Sequence, residues 1–358
     1  MLKIKLKDIG VFYNGLKGKN LSDFSDNYPD KYIDFKSILN GNINISELPR
    51  VKINDVEQQN VVKRNDLLFN MTSENIDDIG FCNIYCYDVK VYLNSFSQGF
   101  RVCDDYDPHY ISYLLKSPKY RRKIKKQSQG ITRINLAPSR LGNIDLLIHN
   151  YDKQKKIGSF FKELDELIEL YNTQVEKLNV LYTHFINLLG NSEKAARLVN
   201  ICNITTGKLN ANGMVENGKY PFFTCAKDPF KIDSFAFDTE ALLISGNGSH
   251  VGYINYYKGK FNAYQRTYVL DDFKIDIEFV KYYLNKILHK IINKEKSDSN
   301  IPYITLKTLE KINIPYPNNV DTKVVSIIKL IDEIKTLYEG VHDLTVKVKM
   351  HYLNKIFN

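Results

Sequence analysis

One feature constrains the fold of this chain more than any other: a long, proline-free amphipathic stretch that occurs twice. Apolar residues recur in steps of three and four at Ile157, Phe160, Leu164, Leu167, Tyr171, Leu178, Leu181, Phe185 and Leu188. That is the spacing of one helix face. Gln174 interrupts the series, and its neighbour Val175 covers the gap. No proline lies between Pro138 and Pro221, so nothing breaks the helix. At 1.5 Å per residue, about 35 residues span roughly 50 Å, a length typical of coiled coils. The second copy runs through Val324, Ile327, Ile331, Ile334, Tyr338, Val341, Val348 and Tyr352, with no proline after Pro317. Lys162, Glu163, Leu164, Asp165, Glu166 and Leu167 are echoed by Lys329, Leu330, Ile331, Asp332, Glu333 and Ile334. Helices are expected over 157–189 and 324–352.

If the helices are copies, the segments before them should match as well. Leu6 to Ile9 with Gly15 resembles Leu198 to Ile201 with Gly207, and Asp66 to Phe69 resembles Ala241 to Ile244. Each of the latter pair leads into a polar loop ending at Ile79-Gly80 or Val251-Gly252. Gln98 aligns with Gln265, and Tyr110 to Leu115 with Phe279 to Leu284. Gly130 to Leu136 aligns with Asn300 to Leu306, and Ile144 to Leu146 with Ile312 to Ile314. The offset from the Gln98 match onward stays near ~170 residues. Strands are expected at 3–9, 67–71, 81–87 and 98–103, then at 242–245, 252–257 and 264–270. One internal helix is expected per module, at 108–126 and 277–294. The reading is an α+β chain of two pseudo-repeated mixed α/β domains, each followed by a long helix. The four parts are 1–150, 151–191, 192–318 and 319–358.

The chain of 358 residues carries a net charge of +9, which favours a polyanionic partner where the excess is concentrated. Concentration is visible at Lys116, Lys119, Arg121, Arg122, Lys123, Lys125, Lys126 and Arg133, with no acid among them. A weaker counterpart is Lys281, Lys286, Lys290, Lys294 and Lys296. A lysine-rich helix end is commonly just a solvated face; two at matching positions favour phosphate contact. Base-edge readers are sought in polar loops, at Thr72, Ser73, Asn75, Asn247, Ser249 and His250, together with Lys17, Lys19, Gln98, Arg101, Gln265 and Arg266. For each of these taken singly, an ordinary turn or core-edge role competes.

Enzymatic signatures are missing. Gly246, Gly248 and Gly252 lack dinucleotide-fingerprint spacing, and no Walker A, HExxH or Pro-Pro methyltransferase motif occurs. Cys82 and Cys86 lack a second ligand pair at zinc-finger spacing. The first seven residues alternate charged and apolar, unlike a signal peptide, and no apolar run reaches membrane-spanning length. A cytoplasmic protein with no metal and no catalytic residue is expected.

The repeats, and above all the run Gly130-Ile131-Thr132-Arg133-Ile134-Asn135-Leu136 leading to Gln154-Lys155-Lys156-Ile157 and Leu164-Asp165-Glu166, resemble the specificity subunits of type I restriction–modification enzymes. The resemblance covers essentially the whole chain. It implies two target-recognition domains that read the two halves of a bipartite double-stranded DNA target. It also implies two helices packed as an antiparallel coiled-coil spacer, and no catalysis on this chain. The implied partners are two methyltransferase subunits using S-adenosylmethionine, and restriction subunits using ATP and Mg²⁺. The second copy departs from the pattern at Asn300-Ile301-Pro302-Tyr303, leaving Arg133 without an evident counterpart. Two other readings stay open: a stand-alone DNA-binding or anti-restriction protein, and a coiled-coil adaptor for another acidic partner.

Overall fold

The structure, a computed structural model, describes residues 1–41, 43–54, 56–295 and 303–357. Lys296 and Asn300 to Pro302, included in the readings above, lie outside them. The chain divides into two compact units. One comprises Met1–Asn172 with Gly340–Asn358, and the other Thr173–Glu339.

Both units are built on one plan. In the first, Leu2–Lys5 pairs antiparallel with Asp145–Ile148. In the second, Ala195–Arg197 pairs with Asn313–Pro315. A short helical turn follows each opening strand, at Leu6–Asp8 and Leu198–Ile201. The amide of Leu6 donates to the Ile144 carbonyl at 3.1 Å, and that of Leu198 to Ile312 at 2.8 Å. The main sheet of the first unit runs in the order Gly10–Asn14, Ser97–Val102, Leu67–Asn70, Cys82–Ile84. In the second it is Asn203–Thr206, Thr267–Asp271, Phe237–Ser245, Ile254–Ala263, extended by Tyr220–Phe223 and Phe230–Ile232. A parallel pairing is also repeated, Ile33 with Leu93 and Phe223 with Ala263. In the first unit it belongs to a separate three-stranded sheet, because the chain leaves Cys82–Ile84 before it reaches Tyr92–Leu93. Gly15 and Gly207 occupy one position in the plan. A Cβ there would collide with the backbone oxygen of Asn94 or of Ala263, so neither site admits a side chain.

The pairings correct three expectations. The strand expected over 3–9 ends at Lys5, and a separate strand begins at Gly10. The helix expected over 108–126 is two, Pro108–Lys116 and Pro118–Lys125, because Pro118 forces Ser117 into an extended conformation. Finally, Ser97 pairs with Asn70 and Thr267 with Ser245. This makes Tyr268, rather than Gln265, the counterpart of Gln98.

The long helices run over Tyr151–Leu188 and Asn319–Phe357. In the first unit, the start of one packs with the end of the other: Phe160 against Tyr352 at 5.4 Å and Phe161 stacked on Phe357 at 5.9 Å. In the second, Ile186 and Leu189 share a core with Val324, Val325 and Ile328. The helices are therefore antiparallel, and each closes the core of a module. The seam on the first helix is Ile157, Phe161, Leu164, Ile168, Tyr171, Val175, Leu178, Tyr182, Phe185 and Leu189, all buried or half-buried. It alternates steps of four and three, the heptad rhythm. The expected series had every second position one residue early, so Leu167 and Leu181 lie on the exposed side. On the second helix Ile331 is buried and Ile334, Tyr338 and Val348 are half-buried, whereas Ile327 and Val341 are exposed.

Candidate nucleic-acid interface

The basic cluster of the first module divides once side chains are placed. Arg121 donates from Nη2 to the carbonyls of Asp77 and Ile79, both at 2.8 Å, and its guanidinium lies over the Phe81 ring. Burial lowers its pKa. Lys116 lies over the rings of Phe81 and Tyr113, its pKa also lowered by burial. Lys123 donates to the Asp145 carbonyl at 3.1 Å and sits over Tyr120. Lys125 is ion-paired with Asp77. These four side chains, each read from the sequence as a candidate phosphate contact, are engaged within the fold. Lys119 is half-buried. Arg122, Lys126 and Arg133 are exposed. In the second module, Lys286 donates to the carbonyls of Asn187 and Leu189, closing the end of the first long helix. Lys290 and Lys294 are exposed.

The candidate base readers divide in the same way. Arg101 makes a two-pronged pair with Asp66, at 2.9 and 2.7 Å, over the ring of Tyr13. Asp66 is 1% exposed and also accepts from the Tyr13 hydroxyl at 2.7 Å. Removing Arg101 would leave the buried Asp66 carboxylate without its counter-charge. Lys19, its side chain 4% exposed, pairs with Glu57, whose pKa its hydrogen bond pulls down to about 2. Ser73 is buried and accepts from the Asn75 amide at 3.0 Å, while Asn75 accepts from the Asp77 amide at 2.9 Å. Arg101, Lys19 and Ser73 are thus built into the protein, and Asn75 spends its carbonyl oxygen on a turn. Lys17, Ser249, Gln265 and Arg266 are exposed; Thr72, Gln98, Asn247 and His250 are half-buried.

Several of the remaining residues converge on a groove. In the first module a groove of 530 Å³ is lined by Met71, Thr72, Phe96, Gln98, Leu136 and Arg140, among others. In the second, a groove of 250 Å³ is lined by Gly246, Gln265, Arg266, Tyr268 and Ile304. The two are the same place in the plan. The amide of Leu136 donates to Met71 as that of Ile304 does to Gly246. The amide of Asn94 donates to Ile33 as that of Tyr264 does to Phe223. These bonds equate Leu136 with Ile304 and Phe96 with Arg266, and move the 130–136 match by two residues. Each groove lies between the ends of two inner strands of the sheet and the strand-like segment that follows the basic helix. The bridges there are Thr72 with Asn135 and Asn247 with Tyr303. Phe96, Arg140 and Tyr268 were not singled out from sequence.

Among the described residues no group of three or more His, Cys, Asp or Glu side chains is placed to hold a metal. No helix among them is long and apolar enough to cross a membrane.

The family described as type I restriction modification DNA specificity domain matches residues 2–180 and again 194–342. Two matches on the two repeated modules and their helices decide the assignment. The chain belongs to the type I specificity family. It is 43% identical over 125 residues to the EcoDI type I restriction enzyme specificity subunit of Escherichia coli; this covers 35% of the chain and 28% of that protein. It is 23% identical over 278 residues to a putative type I specificity subunit of Mycoplasma genitalium, covering 70% of the chain and 71% of that protein. The crystal structure of a type I S subunit from M. genitalium superposes with a TM-score of 0.74 at 18% identity, over 100% of this chain and 96% of that one. As a type I specificity subunit this chain has the two-module, two-helix fold expected of it.

Proposed function

We propose that this specificity subunit reads a bipartite DNA target, one half-site per module. The carrying observation is the matched pair of grooves, built from equivalent positions yet lined by different side chains, mixed in the first module and mainly polar in the second. One plan with different linings suits two half-sites of unrelated sequence. On the same modules Arg122, Lys126, Arg133, Lys290 and Lys294 supply exposed positive charge for the phosphate backbone. The long helices set the distance between half-sites. Each also leaves exposed apolar side chains, Leu170 and Val180 on the first and Leu330, Leu337 and Leu344, a heptad apart, on the second, as docking surface for methyltransferase subunits. Methyl transfer from S-adenosylmethionine belongs to those subunits and ATP- and Mg²⁺-dependent cleavage to separate restriction subunits, and this chain is non-catalytic.

The test is methylation-sensitive long-read sequencing of host DNA with and without the gene. Loss of one split adenine-methylation motif on deletion is the expected result. An unchanged methylation pattern, in a strain that carries active methyltransferase subunits, would overturn the reading.

A further inference from the structure

The two grooves differ at the corner occupied by Phe96 and Arg266. Arg266 is exposed, and its own backbone forms part of the groove wall. The Gly246 amide donates to the Arg266 carbonyl at 2.9 Å. A Cβ on Gly246 would collide with that oxygen, so the glycine lets the two backbones meet and fixes where the arginine begins. In the first module the same position is Phe96, which is 59% exposed. A large apolar ring left in solvent on the wall of that groove calls for a reason. The guanidinium of Arg133 covers this ring, 5.3 Å from its centre.

Arg133 arrives there from another element. Gln129 and Asn135 exchange backbone hydrogen bonds at 2.9 and 2.7 Å, closing a tight loop with Arg133 near its tip. Gly130 adopts φ +113°, and a Cβ there would strike the Arg133 carbonyl oxygen. Stacking on Phe96 restricts the guanidinium plane and leaves its N–H edge free, as in other arginine–aromatic pairs. One module thus grows its arginine from the groove wall, and the other lays one onto the aromatic residue standing at that position.

We propose that Arg133 and Arg266 are equivalent specificity-determining residues, each reading the O6/N7 edge of one guanine in the major groove of its half-site. A guanidinium presented with a free edge, held on Phe96 for Arg133 and anchored through the backbone for Arg266, matches that acceptor pair in two prongs. A second guanine need not be read the same way elsewhere, and the rest of each half-site depends on the differing linings. This rests on the bipartite DNA reading above and deepens it.

The experiment uses the full complex, the chain co-expressed with its methyltransferase subunits, and reads the methylated motif by long-read sequencing. The unaltered complex should show a guanine, on either strand, in each half of the motif. Arg266→Ala should relax that position in the half read by the second module, by about tenfold to a hundredfold in preference, and leave the other half unchanged. Arg133→Ala should do the reverse. Arg→Lys at either site keeps the charge but loses the fork, so it should also weaken the preference; a full retention would mean that a positive charge alone, without the two-pronged fork, carries the preference, and would overturn the proposal. If a variant methylates too little to give a motif, duplex binding decides. The unaltered complex should discriminate guanine from 7-deazaguanine at that position, and the alanine variant should not. Equal loss on both duplexes overturns the proposal while leaving the DNA reading intact. Absence of any split motif overturns the DNA reading itself.

Discussion

Arg121 and Arg122 are adjacent in sequence and opposite in fate. Arg121 holds the loop carbonyls of Asp77 and Ile79, whereas Arg122 points outward and makes only a 3.3 Å bond to the Pro118 carbonyl of its own helix. Arg121→Ala should therefore lower stability by about 1–3 kcal/mol through two lost bonds to loop carbonyls, without altering the salt dependence of duplex binding. Arg122→Glu with Lys126→Glu should do the converse. Affinity falls for all sequences alike, and the slope of log K against log salt drops by roughly two. Thermal denaturation and anisotropy titrations across a salt series separate the two; a changed salt slope in Arg121→Ala at unchanged melting temperature would sink the assignment. Counting charges in the sequence located the cluster but could not separate these neighbours. What divides them is the presence of loop carbonyls some forty positions earlier in the chain. The same blindness applied to Lys19 and Arg101, whose carboxylate partners Glu57 and Asp66 are remote in sequence.

Each module is tied to its long helix by a tyrosine on its internal helix. Tyr113 donates to Asp165 at 2.6 Å, and Lys349 of the other long helix pairs with the same carboxylate. In the second unit Tyr282 donates to Asp332 at 3.1 Å. Burial, then the neighbouring carboxylate, raises both phenol pKa values. The sign follows from linkage. The unfolded tyrosine ionises near its ordinary pKa of about 10 while the folded one stays neutral, so the folded state binds more protons above that pH. Stability from these phenols is complete below about pH 10 and declines as pH rises beyond it, by about 1.4 kcal/mol per pH unit for each. Tyr113→Phe with Tyr282→Phe should lower stability at neutral pH yet flatten its decline above pH 10. Denaturant titrations at several alkaline pH values read the slope directly, and an unaltered slope would show that the phenols do not carry it. The Tyr and Asp positions were legible as repeat matches, because duplicated elements preserve their contacts along with their spacing. The helix seam was legible only in part: Leu167 and Ile168, or Leu181 and Tyr182, are both apolar, and periodicity alone cannot choose between adjacent apolar residues. Likewise Gln98 and Gln265 invited a match by identity, where hydrogen-bonded register places Tyr268.

The dividing line between the compact units falls within both long helices, at Asn172/Thr173 and Glu339/Gly340. Each module is thus built onto its own portion of both helices, with cores that include Phe161 and Phe357 in one unit and Leu189 and Ile328 in the other. If the helices set the gap between half-sites, residues added at both divisions should lengthen that gap and leave each half-site unchanged. Whole heptads preserve the seam. One heptad adds about 10 Å, or roughly three base pairs at 3.4 Å each, and so turns the second half-site by about a third of the DNA helix. Three heptads add about 32 Å, close to the 34–36 Å of one full turn, and bring the half-sites back into phase. The three-heptad variant should therefore methylate a motif with the original halves and a gap about ten base pairs longer, whereas the one-heptad variant should methylate its longer-gap motif less efficiently. Long-read sequencing of DNA methylated by each variant reports both halves and the gap together. Retention of the original gap in either variant would mean that something other than the helices sets the distance.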